Sequence, residues 1–222
     1  MQLSFDLPAK PALGRDDFFV SPSNATAVAM VEGWRNWPAR KLALIGPEGA
    51  GKTHLAHVWA GLSGARLIAA SDLPKADIPA LCTAPVAVED VPTIAGNRTA
   101  EEALFHLHNL VLANGHSLLV TARSPQNLWG LKLPDLASRM DGTPAITLEA
   151  PDDALLAALL MKLFTDRQIA PTPDTIPYLV KRIDRAFDAA QQIVTDLDSA
   201  ALSTGRPVSR ALARDLLETA KP

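Results

Sequence analysis

Short apolar runs recur through the first two thirds of the chain, at 41–45, 66–69, 85–88, 117–120 and 145–148. Each is bounded by glycine, proline or charged positions, and none alternates with polar residues. Runs of this length and composition predict strands buried on both faces. Between most of them the apolar positions return at helical spacing, at 53–62, 100–114 and 134–140. Another helix is expected at 25–36, with Ser23 or Asn24 as its cap. Short strands alternating with helices predict an α/β fold, a parallel five-stranded sheet covered by flanking helices. After Pro151 the pattern becomes helical throughout: 152–168 capped by Asp152, 172–183, 187–203 stopping at Gly205, and 208–219 with Ser209 as a cap. Residues 1–15 carry no helical period and read as a flexible tail. The expected division is therefore a tail at 1–15, an α/β unit at 16–150 and a small all-helical unit at 151–222. No internal repeat is visible.

The first strand runs directly into Gly46-Pro47-Glu48-Gly49-Ala50-Gly51-Lys52-Thr53, and a helix follows. This is the G-x-x-x-x-G-K-T phosphate-binding loop in the strand-loop-helix setting that it requires. Glycines let the backbone close around a phosphate, so that N–H groups and the helix N-terminus face the anion. Lys52 is placed to reach the outer phosphates, and Thr53 to offer its hydroxyl to Mg²⁺. The loop points to a nucleoside phosphate, and leaves open whether that phosphate is hydrolysed, transferred or only held.

With 222 residues, 48 % of them apolar, the chain has ample material for a core. A net charge of −3 without basic runs gives little support to bare nucleic acid as the main partner. Cys82 is the only cysteine, so no internal disulfide and no cysteine metal cluster can form. No basic-then-apolar leader and no apolar run of membrane-spanning length is present, and a cytoplasmic protein without membrane contact is expected. His106 and His108 stand two apart and face different sides of a helix, which suits ordinary helix residues better than metal ligands. Trp34, Trp37, Trp59 and Trp129 are dispersed and read as packing residues.

Four further segments carry chemistry, each with a plain alternative. Val86-Ala87-Val88-Glu89-Asp90 is an apolar strand ending in two carboxylates. Beside a phosphate loop they can hold Mg²⁺ and orient water; otherwise they mark a strand leaving the core. Arg139 ends a short helix before the last strand, where it can face a neighbouring molecule and stabilise phosphoryl charge, or form a surface salt bridge. Lys181-Arg182-Ile183-Asp184-Arg185 is a basic helix end of the kind that helix C-termini favour, with Arg185 the residue of interest. Gln2-Leu3-Ser4-Phe5-Asp6-Leu7 is an amphipathic strip: in extended form Leu3, Phe5 and Leu7 share one face and can dock in a groove, or the terminus is simply disordered.

Taken together, these segments resemble the DnaA branch of the AAA+ ATPases, and within it the Hda type, the regulatory inactivators of DnaA. The resemblance rests on Phe18-Phe19-Val20-Ser21-Pro22-Ser23-Asn24 before the loop, Leu119-Val120-Thr121-Ala122-Arg123-Ser124-Pro125 in the sensor-1 strand and turn, Leu133 to Arg139, Tyr178 to Arg185, and the tail peptide. It implies a P-loop AAA+ fold followed by a helical lid. It implies that Phe19, Val20 and Asn24 meet the adenine, that Gly46, Gly49, Ala50, Gly51, Lys52, Thr53 and His54 surround the phosphates, and that Arg185 closes over them. Thr53, Glu89 and Asp90 would hold Mg²⁺. The bound nucleotide would be ADP or ATP. Gln2, Leu3, Ser4, Phe5 and Leu7 would bind the DNA polymerase III β sliding clamp. Arg139 would act as an arginine finger in trans on DnaA.

DnaA continues beyond its lid into a DNA-reading helix-turn-helix domain, whereas this sequence ends at Pro222. The expectation is a module without direct sequence-specific DNA binding, acting on DnaA, with self-association possible. Three positions depart from the pattern: Glu89 stands for the usual first aspartate, Arg123 for a short polar or acidic sensor, and Asp188 for the lid arginine, with Arg185 one turn earlier. These departures suit a chain that holds a nucleotide to set its shape more than one that hydrolyses it. The alternative is an autonomous ATPase that loads a helicase or remodels DNA. Its mark would be turnover by the isolated protein.

Overall fold

The structure is a computed structural model that describes residues 18–219. The expected clamp peptide, with Gln2, Leu3, Ser4, Phe5 and Leu7, lies outside the described residues. Five strands, β1 (Lys41–Ile45), β2 (Arg66–Ala69), β3 (Val86–Glu89), β4 (Leu118–Ala122) and β5 (Ala145–Thr147), form one sheet in the order β2-β3-β4-β1-β5. Every pairing is parallel, with Ala43 aligned to Val120 on one side and to Ala145 on the other. β1 and β4 are buried along their whole length because they lie inside the sheet with helices on both faces.

Alternation along β1 feeds two separate cores. Leu42 and Leu44 pack with α1 (Ala25–Glu32) and α2 (Lys52–Ser63), through Val28, Val31, Leu55 and Trp59. Ala43 and Ile45 pack on the other face, with Leu104, Leu107 and Val111 of α4 (Arg98–Ala113) and Leu136 and Met140 of α5 (Pro134–Asp141). A short α3 (Ile78–Leu81) flanks α4. Burying each of these large side chains is worth about 1.5–3 kcal/mol. Trp37 stacks on Trp59 with ring centres 5.2 Å apart, and Trp34 meets Trp59 edge-on at 6.4 Å, so these indoles are packing residues. Cys82 is sealed in the α4 core, where its Sγ lies 3.7 Å from the carbonyl of Leu107 and burial pushes its thiol up.

A third core joins α6 (Asp153–Asp166), α7 (Thr175–Val180), α8 (Phe187–Thr204) and α9 (Arg210–Thr219). Asp152 caps α6 by accepting the N–H of Leu155 at 2.7 Å, an interaction worth about 1 kcal/mol. Gly205 ends α8 in the left-handed region at φ 64°, and Ser209 lies 3.4 Å from the N–H of Leu212.

The boundaries differ from the sequence reading where polar side chains choose other partners. The helix expected at 25–36 ends at Glu32, and the chain continues as a 3-10 turn at Trp34–Asn36. Asn24 stands at the cap position but spends its side chain on the preceding loop: it accepts the N–H of Ser21 and donates to the carbonyl of Phe19, both at 2.9 Å. The helix expected at 172–183 contracts to Thr175–Val180, because Thr172 engages Asp174 and Thr175 in a turn and the chain turns again after Val180. β4 extends two residues beyond expectation, through Thr121 and Ala122.

Candidate functional site

The loop from Gly46 to Thr53 sits at the C-terminal edge of the sheet, anchored by the N–H of Gly46 on the carbonyl of Ala122 at 3.1 Å. Glycine is required at Gly46, where a Cβ would stand 2.2 Å from the carbonyl oxygen of Leu148. It is required again at Gly49, at φ +68°, where a Cβ would collide with the Ala186 side chain at 2.3 Å. Ala50 is buried and holds the middle of the loop to the core of α1 and α2. Gly51 turns into α2, which opens with Lys52 and Thr53.

Lys52 is buried and folds back on its own loop, donating to the carbonyls of Gly46 at 2.8 Å and Pro47 at 2.7 Å. Burial pulls its ammonium below the ordinary lysine value; Asp90 opposes this, Arg123 adds to it, and Glu48 and Asp188 oppose it. Four charged side chains from four segments thus act on one lysine. Arg123, in the turn after β4, pairs with Glu48 of the loop at 2.5 Å, with both side chains largely in water. Asp188 lies in the first turn of α8 and brings an acid within electrostatic reach of Lys52.

Glu89 and Asp90 end β3 beside β4. Asp90 is exposed, adopts the left-handed region at φ 52° and donates its N–H to the hydroxyl of Thr121 at 3.0 Å. Glu89 leaves Oε1 buried and without a hydrogen-bond partner. A buried carboxylate oxygen with no donor is suited to a cation partner; Glu89, with Asp90 and the hydroxyl of Thr53 as further oxygen donors, would be the residues to hold a divalent ion. A magnesium ion held there would neutralise phosphate charge. Thr53 is exposed at the start of α2, open to such a ligand.

The segment before α1 reaches the same place. Asn24 locks the loop carrying Phe19, half-buried, and Val20, which is 49 % exposed. Phe18 meets His54 of α2 edge-on at 4.9 Å and lies nearly parallel to Phe187 of α8 at 6.4 Å. Phe187 also donates its N–H to the carbonyl of Gly49 at 2.8 Å and lays its ring against Gly51. Phe18, Phe187 and Thr121 were not among the expected site residues. Phe187 could have been flagged as the first residue of a lid helix beside the aligned Asp188.

One residue expected over the phosphates lies elsewhere, and Arg139 stands apart from the loop. Arg185 pairs with Asp153 at the start of α6 at 2.6 Å, rather than with the phosphate loop. Arg139 is exposed in the last turn of α5, and its guanidinium makes no hydrogen bond or ion pair with any described residue. Its charge acts on Lys41 and His108, at the foot of β1, whereas the loop begins at the head of the same strand.

A five-stranded parallel sheet with this strand order, a glycine-rich loop leading into α2 and a helical C-terminal part give this chain the fold seen in P-loop domains of the AAA+ class. It is similar in fold to domain III of the Thermotoga maritima replication initiation protein DnaA, which superposes with a TM-score of 0.79 at 18% identity, over 97% of this chain and 100% of that one. The replication initiator DnaA bound to AMPPCP and single-stranded DNA gives 0.70 at 18% identity, over 88% and 69%. The AAA domain of FIGL-1 gives 0.74 at 14% identity, over 95% and 84%. No protein-family model matches the chain. Among the described residues, no helix is long and apolar enough to cross a membrane.

Proposed function

We propose that this protein is a regulator of replication initiation of the Hda type, which binds a nucleotide to fix its own shape and lends Arg139 to ATP-bound DnaA. The observation that carries the reading is Arg139 itself: exposed, unengaged among the described residues, and set at the opposite end of β1 from its own phosphate loop. An arginine in that place serves a neighbour's phosphates better than its own. A guanidinium supplied in trans is worth about 10³–10⁵ in rate in GTPase systems, enough for a switch.

ADP is the nucleotide assigned to the loop. Lys52 would hold its β-phosphate, and Phe19, Val20 and Asn24 would border the base. Thr53, Glu89 and Asp90 would hold magnesium, and the unpartnered oxygen of Glu89 supports a cation there. Asp188 near Lys52 makes the site less welcoming to a third phosphate. Neighbouring DnaA structures bound to AMPPCP support a nucleotide in this fold. The tail peptide tethers the protein to the β sliding clamp on newly replicated DNA, which raises its local concentration without strengthening the docking contacts. Docking on DnaA then promotes ATP hydrolysis and suppresses a second initiation.

The test is single-turnover hydrolysis of DnaA-bound ATP, with this protein and clamp loaded on DNA. Arg139→Ala is expected to keep nucleotide and clamp binding and to lose the stimulation. Undiminished stimulation by that variant ends the assignment.

A further inference from the structure

Helix α5 has only eight residues, a length at which an isolated helix does not hold itself together in water. Its two ends are tied by buried charged side chains from other elements. At the entry, Glu101 from the first turn of α4 is 1% exposed. Its carboxylate accepts the backbone N–H of Leu133 at 2.6 Å, of Lys132 at 2.9 Å and of Gly96 at 2.7 Å. At the exit, the carbonyl of Arg139 accepts from Nζ of Lys41 at 3.0 Å and from the hydroxyl of Thr143 at 2.9 Å. Lys41 opens β1 and is 8% exposed. Between the ties, Leu136 and Met140 are fully buried and hold one face of α5 to the sheet.

Charges are costly to bury, and natural cores keep them only where their hydrogen bonds are made. Neither Glu101 nor Lys41 is used on the other. Lys41 is spent on the backbone of the last turn of α5, and Glu101 on the two residues that lead into α5 together with Gly96 before its own helix. Burial pushes the Glu101 carboxyl up, but the N–H groups of Leu133, Lys132 and Gly96 outweigh it and hold the group below the usual carboxylate range. Burial pulls the Lys41 ammonium down, and the neighbouring Arg139 guanidinium adds to this.

We propose that Glu101 and Lys41 are positioning residues that clamp α5 at its two ends and so fix the direction in which Arg139 leaves the surface. The inference rests on the reading of Arg139 as a guanidinium given to a partner. A fraying last turn would swing Arg139 away from the partner's phosphates, and a misplacement of about 1 Å can cost about a hundredfold in rate. The phosphate loop, which follows the other end of β1, would be untouched.

The experiment measures stimulated hydrolysis of DnaA-bound ATP as a function of the concentration of this protein, for the wild type, Arg139→Ala, Glu101→Gln, Lys41→Met and Lys41→Arg. Hydrogen exchange of the α5 amides is followed in parallel. Glu101→Gln and Lys41→Met are expected to lower the maximal rate about tenfold or more, with the half-saturating concentration and ADP binding unchanged and faster exchange confined to α5. Lys41→Arg is expected to restore most of the rate. If Glu101→Gln does not fold, Lys41→Met and its rescue decide. Wild-type rates in both variants overturn the inference alone. So does a loss of docking and maximal rate together that Lys41→Arg does not repair. Stimulation that survives Arg139→Ala instead overturns the reading of function, and the inference with it.

Discussion

Phe187 donates its backbone N–H to the carbonyl of Gly49, so the first residue of helix α8 is bonded directly to the phosphate loop. The residue before it, Ala186, fills the space that a side chain at Gly49 would need. The helical part thus reads the loop's conformation through contacts about as close as van der Waals packing permits.

Gly49→Ala tests that junction. The added methyl meets Ala186 at 2.3 Å and stands on backbone at φ +68°. Overpacking costs about 1–3 kcal/mol and left-handed backbone a further ~1 kcal/mol. A lower urea midpoint is expected, together with a loss of affinity for a fluorescent ADP analogue. A variant equal to the wild type in both assays would show that the junction is loose.

Asp188→Asn tests the electrostatics of Lys52. Removing an acid that acts on this ammonium leaves the loop more positive. A carboxylate acting on the loop through water contributes at most about 1 kcal/mol, so a gain of up to about fivefold in affinity is expected. The gain should be larger for ATP than for ADP and should shrink with added salt. Competition titrations at two salt concentrations read this. Equal gains for both nucleotides, or none, would contradict the arrangement.

The strands were legible because each is built on a short, mostly apolar run: β1 and β2 fall on the expected residues. The phosphate loop was legible because its chemistry is contiguous. Contacts across long separations were not. Arg123 meets Glu48 across 75 residues, Lys41 meets the Arg139 carbonyl across 98, and no local pattern announces either. Glu101 did leave a trace. It shares one stripe of α4 with Leu104, His108 and Val111, and a charged residue on an apolar stripe asks for a partner. Asn24 misled in the opposite sense, because an asparagine before a helix can serve the turn behind it as well as the helix ahead.

His108 makes stability depend on pH. It is 2% exposed, Nε2 has no partner, and burial lowers its pKa from the ordinary 6.5; a hydrogen bond with Asn109 opposes this, while Lys41 and Arg139 add to it. Below pH 6.5 the unfolded chain takes up a proton that the folded chain refuses. Stability present above that pH is therefore lost as pH falls toward the folded value, by at most about 1.4 kcal/mol per pH unit. Urea midpoints between pH 7 and 5 should fall for the wild type and stay flatter for His108→Gln, a window above that in which Glu101 and Asp152 protonate. Parallel curves for the two proteins would exclude His108 as the source.

The tail is tested by replacing Gln2 and Leu3 together with Ala. Capture of the β clamp is expected to be lost while ADP binding is retained, since neither residue belongs to the phosphate-binding loop at Gly46 to Thr53. Retained clamp affinity would remove the tether from the proposed function.

Cys82 is the chain's lone sulfhydryl, and it is walled off in the interior. Alkylating dyes will pass it by in the native protein. A cysteine introduced at Leu202, which is 80% exposed near the far end of α8, would then take the label by itself. A single fluorophore on that lever, whose other end rests on Gly49, would convert nucleotide exchange into light without a cysteine-free background having to be engineered first.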